Sequence, residues 1–208
     1  AFFAPVTRRH PILLLLLAGS IALACADDDP TTAVPPVFSV TPVDISGTYH
    51  PADSSLGDIR FSAPVLIPFG VMIDSENRSY GLQYIARAGA PVRAVTAGVI
   101  DSIITNPPPA SDYTIVMICT PGSDYTVYQD HILNLQVLAH TSIKPGDTLG
   151  EAGTWSEAYR RTAVRVGIGE GSGMRYHCPL DYGNASFREL NNNLLIEYNR
   201  LGFSPEYD

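Results

Sequence analysis

From residue 79 onward, apolar and polar positions recur with a period near two, the spacing of strands with one buried face. Residues Pro91 to Asp101 alternate loosely, and Gly98 stands where a bulge or close backbone approach is expected. Tyr113 to Cys119 is rich in β-branched residues. Asp124 to Leu133 returns after a Pro121-Gly122-Ser123 turn, so the two read as a hairpin. Lys144-Pro145-Gly146-Asp147 is a second turn, and Thr148-Leu149-Gly150 leads into an expected loop at Gly153-Thr154-Trp155. Arg161 to Gly169 alternates cleanly as a strand, and the glycines at 167, 169, 171 and 173 read as a turn. Upstream, Ile59 to Ser62 is a short strand. Pro64 to Gly70 is a proline-bounded apolar piece suited to a sheet edge. The period changes at the end of the chain. Phe187, Leu190, Leu194, Leu195, Tyr198 and Leu201 fall at helical spacing, Ser186 and Glu189 read as a capping box, and Gly202 as the terminating glycine. The expectation is an all-β core with one C-terminal amphipathic helix packed on it.

The first 47 residues follow neither pattern. Arg8-Arg9-His10 is a positive start, and Ile12 to Ala24 is an apolar run of about 13 residues, short of the roughly 20 a spanning helix needs. It ends at Cys25, in Ile-Ala-Leu-Ala-Cys, which resembles a lipoprotein cleavage box with Cys25 as the lipidated residue. Ala26 in the next position favours the outer membrane by the same resemblance. Residues 26 to 47 carry Asp27-Asp28-Asp29 and Pro30, Pro35, Pro36 and Pro42, a composition that reads as an extended tether. The expected organisation is a signal peptide over 1–24, lipidated cysteine and tether over 25–47, a β domain over 48–183, and the helix with its tail over 184–208.

Composition narrows the function classes. Hydrophobic residues make up 45% of the 208, enough for a core, and 17 Gly with 17 Pro suit a turn-rich β fold. The formal charge is -8, which argues against nucleic acid as a partner, and without a run of Lys or Arg membrane attachment is expected through the lipid alone. With Cys25 lipidated, Cys119 and Cys178 remain, either as a disulfide of an oxidising compartment or as two buried thiols. Their spacing is not that of a structural zinc site.

The series of pieces between 67 and 169 resembles the lysostaphin/LytM-like zinc metalloendopeptidases, which cut peptide cross-links in bacterial walls. Ile67-Pro-Phe-Gly70 resembles the family's Ser-Pro-Phe-Gly, and Tyr80-Gly-Leu82 the middle of its His-x-Gly-Leu-Asp. Residues 88 to 100 follow its Gly-Thr-Pro-Val-x-Ala-x-x-x-Gly-x-Val, Tyr125-Thr-Val-Tyr128 the strand before its Tyr-x-His, and 143 to 153 its Val-x-x-Gly-x-x-Ile-Gly-x-x-Gly. The resemblance implies a two-sheet core of the duplicated-hybrid-motif type.

It also implies a zinc site, and there the chain departs from the family. The ligand positions of the first motif fall on Ser79 and Gln83, and the terminal His-x-His on Ala163 and Arg165. The Tyr-x-His histidine falls on Asp130, with His131 one place later; on a regular strand these two point to opposite faces. Ser79 and Gln83 are weak ligands, and Arg165 puts a cation where the metal would sit, so no zinc and no other cofactor is expected. No Gly-x-Ser-x-Gly elbow or phosphate loop occurs, and Tyr176-His177-Cys178 reads as packing or disulfide rather than thiol catalysis. The expected protein is a degenerate LytM-like lipoprotein without catalysis, on the periplasmic face of the outer membrane. It would bind peptidoglycan or regulate a cell-wall hydrolase through a groove holding Ser79, Gln83, Asp130, His131, Ala163 and Arg165, with Arg165 meeting a ligand carboxylate. The alternative is an active zinc endopeptidase with a rearranged site. If Cys25 carries the anchor, a Cys25→Ser protein leaves the membrane fraction on cell fractionation, whereas the unsubstituted protein stays with it.

Overall fold

The computed structural model describes residues 34–61, 65–73, 75–108, 111–154, 160–170 and 173–202. The expected signal peptide, Cys25 and the first part of the tether lie outside these residues, as do Trp155 and the last residues of the C-terminal tail.

Among the described residues twelve strands form in chain order: β1 Ser55–Leu56, β2 Ile59–Arg60, β3 Leu66–Ile67, β4 Leu82–Ala86, β5 Pro91–Arg93 and β6 Gly98–Thr105, followed by β7 Tyr113–Ile118, β8 Tyr125–Leu133, β9 Ser142–Ile143, β10 Thr148–Thr154, β11 Arg160–Glu170 and β12 Gly173–His177. A 3-10 turn, Pro179–Tyr182, leads into helix α1, Ala185–Arg200. All the pairings are antiparallel, and the strands join in one network that curls over a single core. The main path runs β1-β2-β4-β11-β10-β8-β7-β6-β9, with β12 on β11, β3 on β4, and β5 on β10.

The hub is β11. One edge pairs with β10 and then β8, the other with β4 and then β12. Its alternation sends Thr162, Val164 and Val166 into the core, all at 0% exposure. Arg161, Ala163 and Arg165 emerge on the opposite face. Because neighbours flank both edges, Ala163 and Gly167 are covered as well, so the middle of β11 is buried on both faces.

The β core and single helix agree with the hydrophobic pattern, and four details differ. The strand ending at β10 runs on through Gly153 and Thr154, which pair with Arg161 and Arg160 where a loop was expected. Gly167 and Gly169, expected in a turn, lie within β11, and Gly173 opens β12. The helix is capped by Asn184, whose side chain accepts a hydrogen bond from the Phe187 N–H at 2.8 Å; Ser186 lies inside the first turn. Gly202 does follow the helix with φ +78°.

The fourth difference is the tether. Its described part is not an extended spacer: Pro36, Phe38, Thr41, Pro42, Val43 and Ile45 are buried. The Phe38 N–H donates to the Tyr182 carbonyl and its carbonyl accepts from the Asn184 N–H, both at 2.8 Å. Its ring packs on Tyr182 and Phe187. Composition suggested a tether because prolines dominate locally, but the apolar residues between them find the core. The domain therefore begins well before residue 48.

Helix α1 is fastened by Asn191, which is fully buried. It accepts from the Tyr84 hydroxyl at 2.8 Å and donates to the Phe187 carbonyl at 2.8 Å. Burial pushes the Tyr84 phenol far up, the Asn191 bond opposing it only in part. If the 36–45 segment belongs to the core, Phe38→Ala lowers stability by about 3–5 kcal/mol in denaturant titration. A residue in a solvated tether would change it by about 0.5 kcal/mol or less.

Candidate functional site

Three strands bring the sequence-predicted positions together. Gln83 on β4 lies opposite Ala163 on β11, and Asp130 on β8 lies opposite Ala163 from the other edge. Gln83, Ala163 and Asp130 therefore form one row across the sheet. With His131 and Arg165 they line a cavity of about 290 Å³. Ser79 is buried beside it: its hydroxyl donates to the Gly81 carbonyl at 2.7 Å and accepts from Gln83 Nε2 at 3.2 Å. Gly81 itself is required by close approach, because a Cβ there would overlap the Val164 carbonyl and the Arg165 side chain.

His131 departs from the expected geometry. Tyr113 pairs with Ile132 and Ile115 with Gln129, so β8 carries one extra residue in this interval. His131 takes φ +58°, a left-handed conformation, and the strand bulges. The bulge cancels the alternation, so Asp130 and His131 both reach the cavity instead of opposite faces.

Arg165 does not await a ligand carboxylate. Its Nε and Nη2 donate to the two oxygens of Asp130, at 2.5 Å and 2.7 Å. The guanidinium carbon lies 4.9 Å from the Tyr128 ring centre and 5.4 Å from that of Tyr176, and Nη1 donates to the Tyr176 hydroxyl at 3.3 Å. Burial works against the Arg165 charge, but Asp130 outweighs it and holds the guanidinium pKa above its ordinary value. Asp130 also accepts from the Thr114 hydroxyl at 2.8 Å.

Behind this pair lies a second network that sequence reading missed. Asp112, at 0% exposure, accepts from Asn106 Nδ2 at 2.7 Å and sits 3.0 Å from His131 Nδ1. Burial would raise the Asp112 pKa, but the bonds from His131 and Asn106, with the charges of His131 and Arg161, leave it below the ordinary value. The carboxylate is thus ionised and can only accept, so Nδ1 carries the proton. Gly153 makes room: a Cβ there would run into the Asp112 carboxylate and the His131 backbone. Arg161, on the same face of β11, is also desolvated, which lowers its pKa against the opposing pull of Asp112 and Asp130. Arg161 was legible, since it shares the parity of Ala163 and Arg165. Asp112 was not, because its loop position carries no periodic signal.

Zinc at a hydrolytic site needs about three N, O or S donors and an open position. Among the described residues no group of three or more His, Cys, Asp and Glu lies together that could hold a metal ion. The Asp130 carboxylate is clamped by a guanidinium, and its neighbours in the row are Ala163 and, beyond it, Gln83. The residues present do not fit the metal that the resemblance implies. Cys119 and Cys178 are both free thiols, not a disulfide. Cys119 follows β7, where burial raises its pKa to about 11 despite a bond with Thr96, and Cys178 precedes the 3-10 turn.

Backbone comparison finds similarity to lysostaphin- and LytM-type peptidases. Lysostaphin in solution matches at 16% identity and TM-score 0.47, over 59% of this chain and 49% of that one. The catalytic domain of the antimicrobial peptidase lysostaphin from Staphylococcus simulans matches at 18% and 0.45, over 58% and 89%. LytU matches at 17% and 0.49, over 70% and 97%. The chain covers about half the length of whole lysostaphin. No protein-family model matches the sequence, and no curated protein does.

Removing one member of the Arg165–Asp130 pair strands a buried charge. Arg165→Met is expected to cost about 3 kcal/mol in chemical denaturation. Adding Asp130→Asn to it recovers part of that loss. Simple additivity of the two substitutions would show that the ion pair does not organise the cavity.

Proposed function

We propose that the chain is a cell-envelope lipoprotein whose LytM-like domain has no catalytic role and binds the peptide part of peptidoglycan through this cavity. The reading rests first on the clamped Arg165–Asp130 pair. A hydrolytic metal supplies positive charge that polarises a carbonyl and lowers the pKa of bound water. Here the positive charge is a guanidinium that commits all three of its nitrogens to Asp130 and Tyr176. It offers no open coordination position and cannot deprotonate water. The motif series from 67 to 169 supports the wall as the ligand's source, and a small polar cavity suits a short peptide better than a folded protein. The N-terminal residues support export and attachment through Cys25, on the periplasmic face of the outer membrane.

Purified protein mixed with isolated peptidoglycan is expected to sediment with it, to release no wall fragments, and to contain zinc well below one equivalent by elemental analysis. Stoichiometric zinc, together with wall digestion that a chelator stops, would establish the rearranged peptidase instead. Failure to sediment, with specific capture of a wall hydrolase, would transfer the groove to a regulatory role.

A further inference from the structure

The cavity's charges do not balance. Arg78, Arg161 and Arg165 line it, whereas the carboxylates serving it are Asp130 and, behind it, Asp112. Among the described residues the surplus is positive, in a chain whose formal charge is -8. Arg165 is committed to Asp130, and Arg161 is buried in the field of both carboxylates. Arg78 differs. It is exposed, it is held in place by a bridge between its backbone and Met72, and among the described residues no ion pair or side-chain hydrogen bond engages it.

A second group points the same way. Gln83 is 7% exposed, and its Oε1 has no hydrogen-bond partner. The amide cannot simply be turned over. Ser79 spends its hydroxyl hydrogen on the Gly81 carbonyl and so can only accept from Gln83, which fixes Nε2 toward Ser79. An acceptor left unpaired in this way costs about 1–3 kcal/mol. Oε1 is closed off as the site stands, and a small rocking about the soft terminal torsion that keeps Nε2 on Ser79 would offer it to a donor entering the cavity. Beyond Arg78 the cavity adjoins a hollow walled by Phe69, Tyr80, Met174 and Tyr176, with Tyr80 and Tyr176 rings 5.2 Å apart.

We infer that the cavity takes the free C-terminal carboxylate of a short peptide. Arg78 pairs with the carboxylate, Gln83 Oε1 accepts the last amide N–H, and the terminal side chain lies on the Tyr80 shelf. This rests on the peptide-binding reading above and adds to it an end-group requirement, so that uncapped stem peptides are the ligand rather than internal cross-linked segments. A guanidinium with no internal partner among the described residues suits a carboxylate, which it can hold through two parallel bonds.

The test uses calorimetric titration with three probes: N-acetyl-alanyl-alanine, its C-terminal methylamide, and the ester analogue in which the last N–H is replaced by oxygen. The free acid is expected to bind, with the methylamide and the ester each weaker by about tenfold or more. Arg78→Gln, a surface change that leaves the fold intact by circular dichroism, should reduce the acid to the level of the methylamide. Gln83→Leu should erase the difference between acid and ester. If the protein sediments with peptidoglycan but acid and methylamide bind alike, or Arg78→Gln changes nothing, the end-group assignment fails while wall binding stands. If the acid binds but peptidoglycan does not sediment the protein, the stem-peptide source fails and the site belongs to protein C-termini.

Discussion

A guanidinium set against two tyrosine rings and locked onto a carboxylate organises this cavity. The arrangement requires that β11 be paired on both edges, since β8 supplies Asp130 and Tyr128 from one side and β12 supplies Tyr176 from the other. It requires Ala163 to be small, because Gln83 and Asp130 flank it in the same row. It requires Gly81, whose missing side chain lets the backbone pass over Arg165. The same strand sends Val164 and Val166 into the core, so cavity and core share one backbone. A register slip in β11 would exchange the two faces and lose both at once.

Strong alternation and helical spacing made the elements of the core legible. Tyr113 to Ile118, Tyr125 to Leu133 and Arg160 to Glu170 all lie close to where the pattern placed them, as does the terminal helix. What the pattern could not carry was packing that depends on few residues. Phe38 is one aromatic among prolines, and local composition outweighed it. Asn191 is polar on the buried stripe of the helix, and only its partners, Tyr84 and the Phe187 carbonyl, explain its burial.

The cavity was legible as positions rather than as chemistry. Parity along a strand placed Ala163 and Arg165 on one face, and the motif series placed Gln83 and Asp130 near them. The bulge at His131 defeated the same parity rule, because an extra residue in one strand has no signature in alternation alone. Arg165 looked like a ligand-binding cation since sequence shows a charge but not its partner. Once Asp130 occupies it, the cation at the mouth with no ion pair among the described residues is Arg78, contributed by a loop in which no motif would mark it.

The entry of the chain into the domain has a mechanical consequence. Phe38 is joined to Tyr182 and Asn184 by backbone hydrogen bonds on both its groups, and it runs parallel to the segment at Gly183. A pull on the chain ahead of Val34 would load those bonds together along the strand direction. They would resist in shear, not open one after another like a zipper. The load would pass into the capped first turn of α1 and through Asn191 to Tyr84 on β4, beside Gln83. Tension applied upstream and the shape of the cavity are thereby borne by neighbouring residues of a single strand.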